Sequence, residues 1–257
     1  MNQIKILAIG NSFSEDATYY LHQIAKTADM DSKVVNLYIG GCSLETHMNN
    51  VKNDEALYRY EINGSITERY ASIKEALLEE TWDFITIQQA SHESGILDSY
   101  YPYVELLYDY IREYQKDTKI LLHQTWAYEI DSDHKYYDRY HKSQEEMYNK
   151  LNIAYSDVKA KLGIEMIPCG DVIQEVRKRT PFRYDKGEMS LCRDGYHMHF
   201  IYGRYLTAAI WYETIFGQSI LDNGFIPSTE YMPDVEVDMD ALMVIKNCVH
   251  EMVKQYK

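Results

Sequence analysis

The chain reads as an α/β protein, a parallel sheet covered by helices on both faces. Three observations predict this. Short runs rich in Ile, Val and Leu recur along the sequence, and helical patterns alternate with them. The first run, Ile4 to Ile9, has no polar alternation, as in a strand buried on both faces. Strands alternating with helices are joined by crossovers, which makes neighbouring strands parallel. No repeat, low-complexity tract or linker divides the 257 residues, so one domain over 1–257 is expected.

Taken in order, strand one covers Ile4 to Ile9 and a helix follows near Ala17 to Ala28. Strand two lies near Lys33 to Ile39. The next stretch, Leu44 to Thr67, is irregular, and Asn63-Gly64 inside it signals a turn and a small hairpin. A helix near Ala71 to Glu80 leads into strand three at Phe84 to Gln88. A helix near Tyr103 to Tyr114 leads into strand four at Lys119 to His123. A long polar helical pattern spans about Lys135 to Lys161, and strand five is Glu165 to Ile167. A short helix, a loop and two helices, near Phe200 to Phe216 and Met239 to Gln255, complete the chain.

Chemistry concentrates at two places. Gly10 permits a sharp turn after strand one, and Ser12 falls at the C-terminal edge of the sheet, where open α/β sheets bind ligands. Ser12 or Ser14 equally suits a helix cap. Far along the chain, Arg193 to Phe200 reads RDGYHMHF. An acid three residues before a histidine reaches the imidazole from a loop and fixes its tautomer. The other ring nitrogen then takes a proton from a serine. Ser12, Asp194 and His197 thus supply nucleophile, orienter and base.

These segments resemble the SGNH, or GDSL-like, hydrolase superfamily. GNSFS at Gly10 to Ser14 is similar to its first block, with Asn11 where an aspartate is usual. VVNLYIGGCS at Val34 to Ser43 is similar to the second, and DGYH at Asp194 to His197 to the last. The third block departs: WDFITIQQASHESG stands where the family has GxND. That stretch is similar to an uncharacterised branch with a glutamine after the strand, and to sialate O-acetylesterase-like proteins. The resemblance implies a three-layer, flavodoxin-like fold with a five-stranded parallel sheet. It also implies an oxyanion hole from Gly41 and Gln88, with Gln88 favoured over Gln89. A serine esterase acting on short acyl groups, acetyl above all, carried by a carbohydrate is implied, with no cofactor.

Gln124 and Trp126 follow strand four and His92 follows strand three, so all three are candidates to line the substrate. Trp126 equally suits the core and His92 a solvated loop; His47 receives no role. A lipase-like or thioesterase specificity stays open within the esterase reading, and two alternatives to it remain. Asp194, His197 and His199 form D-x-x-H-x-H, which with His123 or His92 makes a metal-dependent hydrolase. That reading leaves Ser12, Gly41 and Gln88 without a task. A non-catalytic carbohydrate-binding protein on the same fold is the other.

Composition narrows the partners. The net charge is −14, from 40 acids and 26 bases, which opposes nucleic acid and anionic membrane but not a neutral sugar ester. No apolar run reaches the ~20 residues that span a bilayer. Cys42, Cys169, Cys192 and Cys248 lack the spacing of a metal site or disulfide framework, so reduced thiols are expected. The 25 tyrosines are expected to pack helices with their hydroxyls wet. Strand one begins almost at Met1, so a cytoplasmic chain is expected, or a periplasmic or secreted one if an export signal precedes it. Oligomeric state is left open.

Overall fold

Seven strands form one sheet in a computed structural model that describes residues 3–256. They are β1 (Ile4–Gly10), β2 (Ser32–Tyr38), β3 (Tyr58–Ile62), β4 (Ser65–Ala71), β5 (Phe84–Ile87), β6 (Lys119–His123) and β7 (Glu165–Ile167). The order is β4-β3-β2-β1-β5-β6-β7, and β2, β1, β5, β6 and β7 run parallel. Those five are the expected strands in the expected flavodoxin-like order. The expected total of five is corrected to seven. Asn63, at φ +53°, and Gly64, at φ +81°, close an antiparallel hairpin that extends the β2 edge. A hairpin with an exposed second strand carries little hydrophobic signal, which is why this segment reads as irregular.

Nine helices complete the described residues: α1 (Ser12–Thr18), α2 (Leu21–Thr27), α3 (Leu44–Asn53), α4 (Ile73–Glu79), α5 (Tyr103–Tyr114), α6 (Gln144–Leu162), α7 (Cys169–Val176), α8 (Tyr202–Ile215) and α9 (Met239–Val253). The first expected helix is two short ones starting at Ser12, and α3 occupies part of the supposedly irregular stretch. The long helix starts only at Gln144. His141 and Lys142 have positive φ, and Ser143 accepts from the Glu146 amide to cap it. A 20-residue loop, 124–143, therefore crosses the C-terminal edge of the sheet after β6.

The core lies between sheet and helices. Ile6, Leu7, Ala8 and Ile9 are buried, as the run without alternation required. Helix α8 is buried almost all round and packs on α1 and α9. Many tyrosines are buried hydroxyl included, against expectation. The Tyr100 hydroxyl donates to the Ser94 carbonyl at 2.7 Å, and the Tyr58 hydroxyl pairs with His47 Nδ1 at 2.8 Å. Bonded inside, a phenol needs no water. The four cysteines are free and buried. Among the described residues no helix is long and apolar enough to cross a membrane.

Candidate active site

Strand β1 delivers the chain to a tight turn that leaves no room for a side chain at Gly10. A Cβ there would lie 2.3 Å from Ser14 Oγ and 2.9 Å from Gln88 Oε1. Asn11 then caps α1: its Oδ1 accepts from the Phe13 amide, and its own amide donates to Ser14 Oγ, both at 3.0 Å. Capping thus falls to Asn11 and Ser14, and Ser12 is released from it. The Ser12 hydroxyl faces His197 Nε2 at 2.9 Å. His197 Nδ1 donates to Asp194 Oδ2 at 2.7 Å. Asp194 Oδ1 accepts the amides of His197 at 2.8 Å and Tyr196 at 3.2 Å. Partial burial raises the Asp194 pKa, but the bonds from the His197 ring and backbone outweigh it and hold the carboxyl below its ordinary range.

The loop that carries Asp194 and His197 is fastened from several sides. Cys192 pairs with Met198 across its neck, and the Arg193 amide donates to the His197 carbonyl at 2.9 Å. Gly195, at φ +85°, lets the loop pass Ser132, whose Cα lies 3.0 Å from where a Cβ would stand. Its carbonyl accepts the Glu129 amide at 2.7 Å, and Trp126 Nε1 donates to the Tyr196 carbonyl at 2.8 Å. Asp16 joins this loop to α1. Fully buried, it accepts from the Met198 amide at 2.8 Å, Arg193 Nη1 at 3.0 Å and Arg204 Nε at 2.7 Å.

Residues 5–244 match the model of a domain of unknown function, DUF4886. The chain belongs to the DUF4886 family. A solved DUF4886 protein from Bacteroides uniformis is 35% identical with a TM-score of 0.89, over 98% of this chain and 95% of that one. A candidate SGNH hydrolase from Slackia heliotrinireducens is 21% identical with a TM-score of 0.59, over 83% of this chain and 100% of that one. A catalytic mutant of Axe2, an acetylxylan esterase from Geobacillus stearothermophilus, is 12% identical with a TM-score of 0.57, over 89% and 99%. The DUF4886 chain therefore has the fold of SGNH hydrolases. No curated protein matches it.

Other expected site residues have different tasks in this DUF4886 fold. Gln88 is corrected. Its Nε2 donates to Asn11 Oδ1 at 2.9 Å, its Oε1 accepts from His123 Nδ1 at 2.8 Å, and the residue is 1% exposed. It braces the turn before Ser12 from inside the protein. Gln89, also buried, accepts the Leu44 amide at the start of α3. Gly41 is exposed at φ +63° on the loop after β2, and Asn11 Nδ2 donates to the neighbouring Cys42 carbonyl at 3.1 Å. Among the described residues the Ser12 and Gly41 amides have no acceptor. Trp126 and Gln124 are corrected as well, both 0% exposed. Trp126 stacks on Phe13 at 4.1 Å, Phe13 in turn lies 6.2 Å from the His197 ring, and Gln124 Oε1 accepts the Asp171 amide in α7. His92 is half-buried against Tyr136 and His134.

The metal alternative fails on geometry. His199 Nδ1 accepts the Ile201 amide at the start of α8, while His123 is buried against Gln88, its pKa pushed down to about 3 by burial. Among the described residues no three His, Cys, Asp or Glu side chains are grouped so that they could hold a metal ion. Burial also pushes the Cys42 thiol up to about 12, which keeps it protonated near neutral pH. A cavity of about 650 Å³ lined by Glu129, Arg177, Arg183 and Tyr184 contains no triad residue. Sequence reasoning passed over Asp16, Arg193 and Arg204, and the rings of His134, Tyr136 and Tyr196. The available signal for Asp16 was its place four residues after Ser12, on one face of a helix.

Proposed function

We propose that this DUF4886 protein is a serine ester hydrolase that removes short acyl groups, acetyl foremost, from a carbohydrate. The observation that carries the reading is the relay of 2.9 Å from Ser12 Oγ to His197 Nε2 and 2.7 Å from His197 Nδ1 to Asp194. His197 removes the Ser12 proton as Oγ attacks the ester carbonyl, and Asp194 stabilises the resulting imidazolium. The oxyanion of the tetrahedral intermediate is held by the free amides of Ser12 and Gly41. Collapse breaks the bond to the alcohol, which takes the proton from His197. Water, deprotonated by the same histidine, then splits the acyl-serine to release the acid and restore the hydroxyl.

The acetylxylan esterase among the solved structures of the same fold supports acetyl as the acyl group and a sugar as the alcohol. A purely carbohydrate-binding role has no use for Asp194 oriented on His197. The test is turnover of an aryl acetate. Ser12→Ala should lower kcat by about 10³-fold or more with folding intact. A fluorophosphonate should label Ser12 alone, and a chelator should leave the rate as it was. Near-full activity in the alanine variant, or loss of activity on chelation that one metal restores, overturns the reading.

A further inference from the structure

Beside the triad lies a cluster of rings that catalysis as described above does not use. Tyr196 sits 4.3 Å from the His197 ring, and His134 meets Tyr196 edge-on at 4.7 Å. Tyr136 lies 5.8 Å from His134 and stacks on His92 at 4.8 Å. All four are half-buried. Their faces are taken up by one another, and Arg139 and Lys135 lie over Tyr136. Three of their polar atoms are not taken up, although His134 Nδ1 accepts the Tyr136 amide and His92 Nε2 lies 3.9 Å from Glu93 Oε1. Among the described residues the hydroxyls of Tyr136 and Tyr196 and Nε2 of His134 have no hydrogen-bond partner, and none of them is a sealed buried atom.

Topology fixes which half of an ester meets this cluster. Ser12 follows β1, and Gly41 follows β2 on one flank of it. His92 follows β5, and His134 and Tyr136 lie in the loop after β6, on the other flank. The acyl oxygen turns toward Gly41, the oxyanion donor. The departing alcohol takes its proton from His197 Nε2, so it leaves on the flank where Tyr196 covers the His197 ring. We infer that Tyr196, His134 and Tyr136, backed by His92, form the subsite for the alcohol half of the ester, and that this alcohol is a neutral, hydroxyl-rich sugar. This rests on the serine esterase reading.

The chemistry of the edges selects the class. A sugar presents hydroxyls that both donate and accept, and phenols and neutral imidazoles do the same. Burial first, then Arg139, His134 and Lys135, push His92 down to about 4. Burial first, then His197 and Lys135, hold His134 below its ordinary range. Both imidazoles are therefore uncharged near neutral pH; His134 Nδ1 accepts the Tyr136 amide, which leaves its Nε2–H as a donor toward the alcohol. A fatty alcohol leaves such edges dry and unpaired, which a hydrogen-bonding site penalises.

His134→Phe/Tyr136→Phe keeps two rings and removes their polar edges. The reading is the ratio of kcat/KM for a mono-O-acetylated methyl xylopyranoside to that for 4-nitrophenyl acetate. The double variant should lower this ratio about tenfold or more. In the Ser12→Ala background, calorimetric binding of the sugar ester should weaken similarly. An unchanged ratio overturns the inference, because both substrates then lose or keep rate together. If the unmodified protein hydrolyses neither ester, the esterase reading fails and binding decides the subsite. Sugar binding lost with the polar edges upholds it; binding unaffected by them, or absent in Ser12→Ala, rejects it.

Discussion

Gln88 has the right chemistry for an oxyanion hole and the wrong address. The residue type and its place after β5 were legible, but the direction of its amide depends on partners 77 and 35 residues away, Asn11 and His123. No local pattern encodes that. Asn11 carries the consequence, because one side chain caps α1 through the Phe13 amide, receives Gln88 and holds the Cys42 carbonyl. Removing Gln88 leaves His123 and Asn11 with an unmet bond each in a dry interior. Gln88→Ala should therefore cost stability, about 1–3 kcal/mol in denaturant unfolding, while Ser12 still reacts with a fluorophosphonate. A stable variant with kcat reduced about 10²-fold would return Gln88 to the oxyanion hole.

Between elements, the decisive contact joins α1 to the base loop and α8. Ser12, Asp194 and His197 were readable because residue type and short spacing announce them. The clamp that sets their distance was not, since Asp16 lies 177 and 188 residues from Arg193 and Arg204. Long-range ion pairs leave no periodic trace. The expected helix over Lys135 to Lys161 forms only from Gln144 onward, for a related reason. Its first part belongs to the polar, aromatic loop whose His134 packs on Tyr196, and polar composition alone does not separate such a loop from a solvated helix. Asp16→Ala removes the acceptor of two guanidinium groups, one almost fully buried. Breaking a buried pair from one side costs about 3–5 kcal/mol. Unfolding midpoints should fall accordingly, and fluorophosphonate labelling of Ser12 should slow even where the variant is folded. Wild-type stability in Asp16→Ala would mean that packing of α1 on α8 alone holds the triad.

For the whole molecule, the five parallel strands were legible because burial on both faces writes itself into composition. The hairpin β3-β4 was legible from its Asn63-Gly64 turn but not as two further strands of the sheet, since polar contacts bind it to the rest. Asn36 Nδ2 donates to Glu61 Oε2 at 2.8 Å, and Ser14 Oγ donates to Asn36 Oδ1 at 2.7 Å. Arg59 pairs closely with Glu61 and reaches Glu15 at 2.9 Å. One guanidinium thus serves two carboxylates between the hairpin and the nucleophile helix. Glu61 has the closer pairing and Asn36 besides. Burial, followed by repulsion from Glu61 and Asp16, outweighs Arg59 at Glu15 and raises its pKa to about 7. A carboxyl that binds its proton more tightly folded than unfolded adds stability at low pH. That contribution is whole below the ordinary glutamate value of about 4.5 and is lost as pH rises through about 7. Glu15→Gln removes the titration and keeps the shape. The Tm of the variant minus that of the wild type should therefore climb between about pH 4.5 and about pH 7.5 and level off above. A difference that stays flat, or falls with pH, would mean that Arg59 holds Glu15 ionised and that the hairpin is fastened by a full salt bridge.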